Sequence, residues 1–165
     1  MKMTELFLGE LEREASGTRR ALERVPDGKY DWKPHPKSMA FGYLAELVAM
    51  LPSWAVLTIE RDELDLATYQ KSSMRTAKDL VRGHDEAVAA ARKSLQNTND
   101  EHLLKPWRML VAGKQVMEPT PRYIVLRDSV FNHLAHHRGQ LTVYLRLLEQ
   151  PVPAIYGPSA DEGRF

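Results

Sequence analysis

The stretch Asn132-His133-Leu134-Ala135-His136-His137-Arg138-Gly139-Gln140-Leu141-Thr142-Val143-Tyr144-Leu145-Arg146 lies within residues 121–149, which read as one long helix. Thr120-Pro121 supplies its start, a capping hydroxyl followed by proline at the first helical position. Gln150-Pro151-Val152-Pro153 stops it. At 100° per residue with His133 as origin, His137 falls at about +40°, and Leu126, Val130, Leu141, Tyr144 and Leu148 cluster between about +20° and +80°. Both histidines therefore point with the apolar stripe. His136 falls near about −60° and cannot share a site with both of them. Phe131, Ala135 and Thr142 lie on the side away from the stripe. That leaves apolar surface over, and pairing into a homodimer is the expected way to bury it.

Three further helices are expected upstream. From residue 4 to 25, Phe7, Leu11, Ala15, Leu22 and Val25 recur at helical spacing, and Pro26-Asp27-Gly28 ends the pattern with a turn. Ser38 is a good N-cap for a second helix with the stripe Ala40, Leu44, Leu47, Leu51, Trp54, Ala55 and Thr58, which Pro52 should kink. After a linker over residues 63–75, Thr76 and Asp79 stand at capping-box spacing before a third helix with the face Leu80, Val81, His84, Val88, Ala91 and Leu95. Between the third and last helices, two short alternating runs flank Ala112-Gly113-Lys114 and predict a small β-hairpin. Four amphipathic helices with a minor hairpin argue for an all-α, up-down four-helix bundle, one domain over residues 1–165. At 165 residues, roughly 68–70% of the unfolded surface can be buried, so a sizeable core is available.

Composition removes several classes of function. Lys plus Arg is 23 and Asp plus Glu is 22, spread along the chain, so no basic stripe marks a nucleic-acid partner. The absence of cysteine excludes disulfides, thiolate zinc sites and a cysteine nucleophile, and fits a cytoplasmic location. No apolar run reaches the ~18–20 residues that span a bilayer, so no membrane partner is expected. Gly-rich phosphate loops and a defensible Ser-His-Asp order are missing. Trp32, Trp54 and Trp107 read as core or interface aromatics, and the acidic group Asp62, Glu63 and Asp65 as a solvated segment.

What remains is the histidine pair. Imidazoles at i and i+4 on one helical face can be bridged by one divalent ion, whereas unpartnered imidazoles on an apolar stripe are costly. A metal would need a third ligand from another helix. His84, on the apolar face of the third helix, is either a core histidine or a ligand. His35 and His102 read as solvent-facing. Glu46 stands about 100° from Leu47, at the edge of its stripe, and would have to reach around.

The run His133-x-x-His136-His137-Arg138-Gly139-Gln140-Leu141-Thr142, followed by Pro151-Val152-Pro153-x-Ile155-Tyr156-Gly157-Pro158-Ser159-Ala160-Asp161, resembles the DinB-like proteins of the DinB/YfiT superfamily. Lys33-Pro34-His35-Pro36-Lys37-Ser38-Met39, Gly42-x-Leu44-Ala45 and Leu51-Pro52-x-Trp54 carry the resemblance upstream, so it covers nearly the whole chain. It implies a four-helix bundle, often dimeric, binding nickel or zinc through three histidines. Some members of that superfamily are thiol-dependent, among them mycothiol-dependent maleylpyruvate isomerase and bacillithiol transferases. Two of the implied ligands fall on His133 and His137. The third falls on Leu47, which cannot coordinate a metal. The resemblance thus implies a small-molecule-binding or stress-associated protein with an incomplete metal site. The alternative is a metal-dependent, thiol-dependent transferase or hydrolase that uses a different third ligand.

Overall fold

Residues 2–69 and 73–163 are described by a computed structural model. The expected linker includes residues 70–72 and the expected irregular tail includes residues 164–165, which lie outside the described residues. Helix α1 (Met3–Leu22) buries Phe7, Leu11 and Leu22 of the stripe read from its spacing, with Ala21 beside them, while Ala15 is half-buried. The second helical stretch is two helices, α2 (Phe41–Met50) and α3 (Ser53–Glu60), bent by 50° at Leu51-Pro52, where proline removes an amide from the ladder. Ser38 does not cap it, and α2 starts three residues later. Its first amides are instead satisfied by the preceding extended segment, Phe41 N donating to the Trp32 carbonyl and Gly42 N to the Tyr30 carbonyl, each at 2.9 Å. This close crossing admits only glycine at residue 42, since a Cβ there would lie 2.4 Å from Tyr30 Cδ1.

Helix α4 (Ala77–Gln96) is capped by Thr76, whose Oγ1 accepts from Asp79 N at 3.1 Å. A short α5 (Asp100–Leu104) follows. The long helices close on one another, α1 on α4, α4 on α2 and α3, and the last helix on α2. One apolar cluster surrounds Phe41, Leu44 and Leu141, and a second surrounds Phe7, Leu95 and Leu126.

A small sheet corrects the all-α expectation. Strands β2 (Pro106–Val111) and β3 (Lys114–Pro121) form the hairpin, with Ala112 and Gly113 at φ 50° and 76° in its turn. Strand β1 (Glu63–Asp65), inside the expected linker, pairs parallel with β2. Of the acidic group there, Asp62 and Glu63 are exposed as expected, whereas Asp65 is half-buried and structural. Asp65 accepts from the amides of Ala67, Ala112 and Gly113 at 2.9, 2.9 and 2.7 Å, and those bonds hold its carboxyl below the usual range. Asp62 pairs with the buried Arg122, and Glu63 with Arg108.

The final helical run comprises α6 (Arg122–Val125), a π-helical segment (Leu126–Asn132) and α7 (His133–Leu147). It begins one residue after Pro121, which still pairs with Pro106 in the sheet. The wider π-helical winding turns each residue through less than 100°, so Val130 and Phe131 both face inward. Phe131 stacks on Phe7 with centroids 5.6 Å apart, and so it is core rather than the leftover surface expected of it. The exposed apolar residues of α7 are Val143 and Leu147.

Candidate functional site

The bend at Pro52 separates two sets of side chains that face α7. Glu46, Leu47 and Met50 come from α2 and Trp54 from α3, and with His133 and His137 they line a cavity of about 500 Å³. Met39, Leu66 and Tyr69 extend its wall. The volume lies within the roughly 300–1,000 Å³ of small-molecule sites. Trp54 meets Tyr69 edge to face at 5.7 Å and His133 at 6.3 Å, so one histidine is held in an aromatic corner.

Each ring of the histidine pair is oriented from behind. At the end of the π-helical segment, the His133 amide donates to the Val130 carbonyl. The Ser129 carbonyl, which an α-helix would give to that amide, takes the His133 ring through Nδ1 at 3.3 Å. Nδ1 of His137 donates to Gln140 Oε1 at 2.7 Å, and the amide nitrogen of Gln140 donates to Nε2 of the exposed His136 at 3.1 Å. His136 therefore stays outside the cavity, as its angle predicts, yet it orients His137 through Gln140. That role was not visible in the helical projection, although the i,i+4 spacing of His136 and Gln140 carried it.

With both Nδ1 atoms engaged as donors, the two Nε2 atoms carry lone pairs, and they face each other at 2.8 Å. Either one ring surrenders its Nδ1 partner so that its Nε2–H can bond the other, or a donor or cation inserts between them. Burial lowers the His133 pKa, with the neighbouring His137 adding to the effect. Burial also lowers that of His137, against the hydrogen bond it donates to Gln140. Both shifts favour the neutral form of the two rings.

The three-histidine site does not fit this chain. Leu47 lines the cavity where the third nitrogen is implied, and among the described residues no three His, Cys, Asp or Glu side chains are grouped to hold a metal ion. The other candidates are accounted for separately. His84 is a core histidine, its ring nitrogens 3.3 Å from the Ala49 carbonyl and 3.2 Å from the Ala15 carbonyl. His35 is exposed, as expected. His102 is not, since its Nε2 contacts the Ile59 carbonyl at 2.8 Å and secures α5 to the end of α3. Glu46 does reach the cavity, and its Oε1 is buried with no hydrogen-bond partner.

One anchoring residue was missed altogether. Arg138, beside His137, is 2% exposed and donates to Glu14 Oε2 at 2.6 Å, Thr18 Oγ1 at 2.9 Å and Tyr156 Oη at 2.5 Å. It ties α7 to α1 and to the C-terminal segment. Sequence reading had no signal for it, because its partners lie more than a hundred residues away or beyond the helix.

Comparison with known proteins agrees with this architecture. The chain is 26% identical over 158 residues to the uncharacterized protein YrdA of Bacillus subtilis strain 168, covering 94% of this chain and 89% of that protein. The crystal structure of a DinB-like protein from Bacillus cereus ATCC 10987 superposes with a TM-score of 0.71 at 25% identity, covering 92% of this chain and 97% of the other. That of the DinB-like protein YjoA from Bacillus subtilis superposes with a TM-score of 0.69 at 16% identity, over 91% and 97% of the two chains. The DinB family profile matches residues 1–164, so the chain belongs to the DinB family.

Proposed function

We propose that this chain is a small-molecule-binding or stress-associated DinB protein of unknown activity, an up-down four-helix bundle with α2 and α3 as one bent leg and a metal site reduced to two histidines. The observation that carries this reading is the roughly 500 Å³ cavity, apolar and aromatic except at His133, His137 and Glu46, with Leu47 at the third ligand position. Two neutral imidazoles bind nickel or zinc weakly, far short of a three-ligand site. A metal-dependent, thiol-dependent transferase or hydrolase is the second reading. It is favoured by one feature, the unpartnered Oε1 of Glu46, which could serve as an oxygen ligand.

Metal analysis of protein purified without a histidine tag separates them. The first reading expects well under one metal per chain, stripped by a chelator. One tightly held ion per chain that survives dialysis against chelator, and disappears in Glu46→Gln, would establish the second reading instead.

A further inference from the structure

The corner of the cavity that holds His133 is built of three rings. Trp54 meets Tyr69 edge to face at an interplanar angle of 64° and the His133 imidazole at 82°. All three rings line the cavity, as do the thioethers of Met39 and Met50. An aromatic guest repeats the edge-to-face contacts already made there, and sulfur adds a favourable contact with a ring. A saturated ring of the same size fills the space and gains neither.

The polar chemistry of the same corner is two-sided. Trp54 brings an N–H donor, Tyr69 an O–H that donates or accepts, and the histidine pair brings acceptors. While Ser129 and Gln140 hold the two Nδ1 atoms, the Nε2 lone pairs face each other at 2.8 Å and lack a donor between them. One O–H placed opposite two nitrogens so close together meets both in a three-centre hydrogen bond, and neither ring gives up its Nδ1 partner. The oxygen of that group keeps lone pairs for the donors of the wall. Among the described residues no lysine or arginine lines the cavity, so an anionic guest finds no side-chain cation there.

We propose that the ligand of this cavity is a phenol, its ring seated against Trp54, Tyr69 and His133 and its hydroxyl donating to the histidine pair. The inference rests on the small-molecule reading above and adds the chemical class of the ligand. His133 joins the two halves of the argument, since it is both a ring of the aromatic corner and a member of the pair, its centroid 4.5 Å from that of His137. A guest that touches both therefore carries its hydroxyl directly on the ring. Such a hydroxyl ionises only at about pH 10, so the guest enters uncharged.

The test is isothermal titration of the full chain, in chelator at neutral pH, with three probes of similar size. These are 4-ethylphenol, 4-ethylanisole, which keeps the ring and loses the donor, and 4-ethylcyclohexanol, which keeps the hydroxyl and loses the aromatic ring. The phenol should bind tightest, by about fivefold or more over the anisole and about threefold or more over the cyclohexanol. Trp54→Leu should narrow the gap between the phenol and the cyclohexanol and leave the ratio of phenol to anisole as it was. If either comparison probe binds the wild type as well as the phenol does, the cavity reading stands and the phenol inference falls. A gap to the cyclohexanol that Trp54→Leu leaves unchanged overturns the placement of the ring. Failure of all three probes to bind overturns both readings. The wild-type ranking decides the matter by itself should Trp54→Leu not fold.

Discussion

Replacing Leu47 by histidine should turn a weak pair into a metal site. Leu47 is half-buried on α2, packed against the core and lining the same cavity as His133 and His137. Tetrahedral zinc with Zn–N bonds of about 2.05 Å holds two nitrogens about 3.3 Å apart, so the pair, at 2.8 Å, needs to open by only about 0.5 Å. Structural zinc sites are worth about 10–16 kcal/mol over four ligands, or about 2.5–4 kcal/mol per donor, so a third nitrogen should tighten binding by about 10²- to 10³-fold. Without metal the imidazole exchanges apolar contact for an unpartnered polar ring, and the variant should lose roughly 1–3 kcal/mol of stability. Metal at 100 times its Kd returns about 2.7 kcal/mol, enough to reverse that loss. Calorimetric titration with nickel and zinc, together with urea unfolding with and without metal, would measure both effects. His137→Ala in the same background should abolish the rescue. Tight one-to-one binding by the wild type, or no gain in Leu47→His, would refute the reasoning.

Two further outcomes follow from the fold. Gly42→Ala should destabilise by about 1–3 kcal/mol, because its Cβ would meet Tyr30 Cδ1 at 2.4 Å and Cβ at 2.8 Å, while Gly139→Ala, whose Cβ meets nothing within 4 Å, should be neutral or slightly stabilising; urea midpoints check both. The pKa of His84 is lowered in the fold, chiefly by burial, so the unfolded chain takes up the proton first as pH falls. Stability should therefore be fully present above about pH 6.5 and decline below it, at no more than about 1.4 kcal/mol per pH unit from this residue. A pH series of unfolding curves on wild type and His84→Leu should show the decline reduced in the variant, and identical pH dependence would count against the assignment.

Local signals were legible and distant pairings were not. Thr76, Pro52, the Ala112-Gly113 turn and the inward histidine pair could all be read because each acts through neighbours within one or two turns of chain. Strand β1 has only three residues and takes its identity from β2, more than forty positions away, so nothing in its own sequence distinguishes it from a loop. Asp65 looked solvated because the three amides it binds come from two separate turns. The start of α2 was misplaced for a related reason, in that two carbonyls of the preceding segment do the work expected of the Ser38 hydroxyl. Phe131 was misjudged through the assumed period, since a π-helical segment breaks the 100° rule on which the face assignment rested.

The same π-helical segment explains how one helix serves both core and site. It frees the Ser129 carbonyl to fix His133, while four residues on His137 takes its orientation from Gln140. Between them and α1, Arg138 engages Glu14 across a pair only 2% and 11% exposed, which removes the freedom of α7 to rotate. A buried ion pair is poor evidence of net stabilisation, but breaking one costs about 3–5 kcal/mol, so α7 is held in one register. The opposite wall is built differently. On α2, Glu46 and Leu47 sit just before the 50° bend and line the cavity, with Leu47 also packed against the core cluster. Chemistry on the α2 side can therefore change by single substitutions while the imidazole pair, fixed by α7, stays in place. Leucine at residue 47 lines the cavity from α2 and packs on the core beside Glu46, so a substitution there alters the cavity wall without touching the imidazole pair.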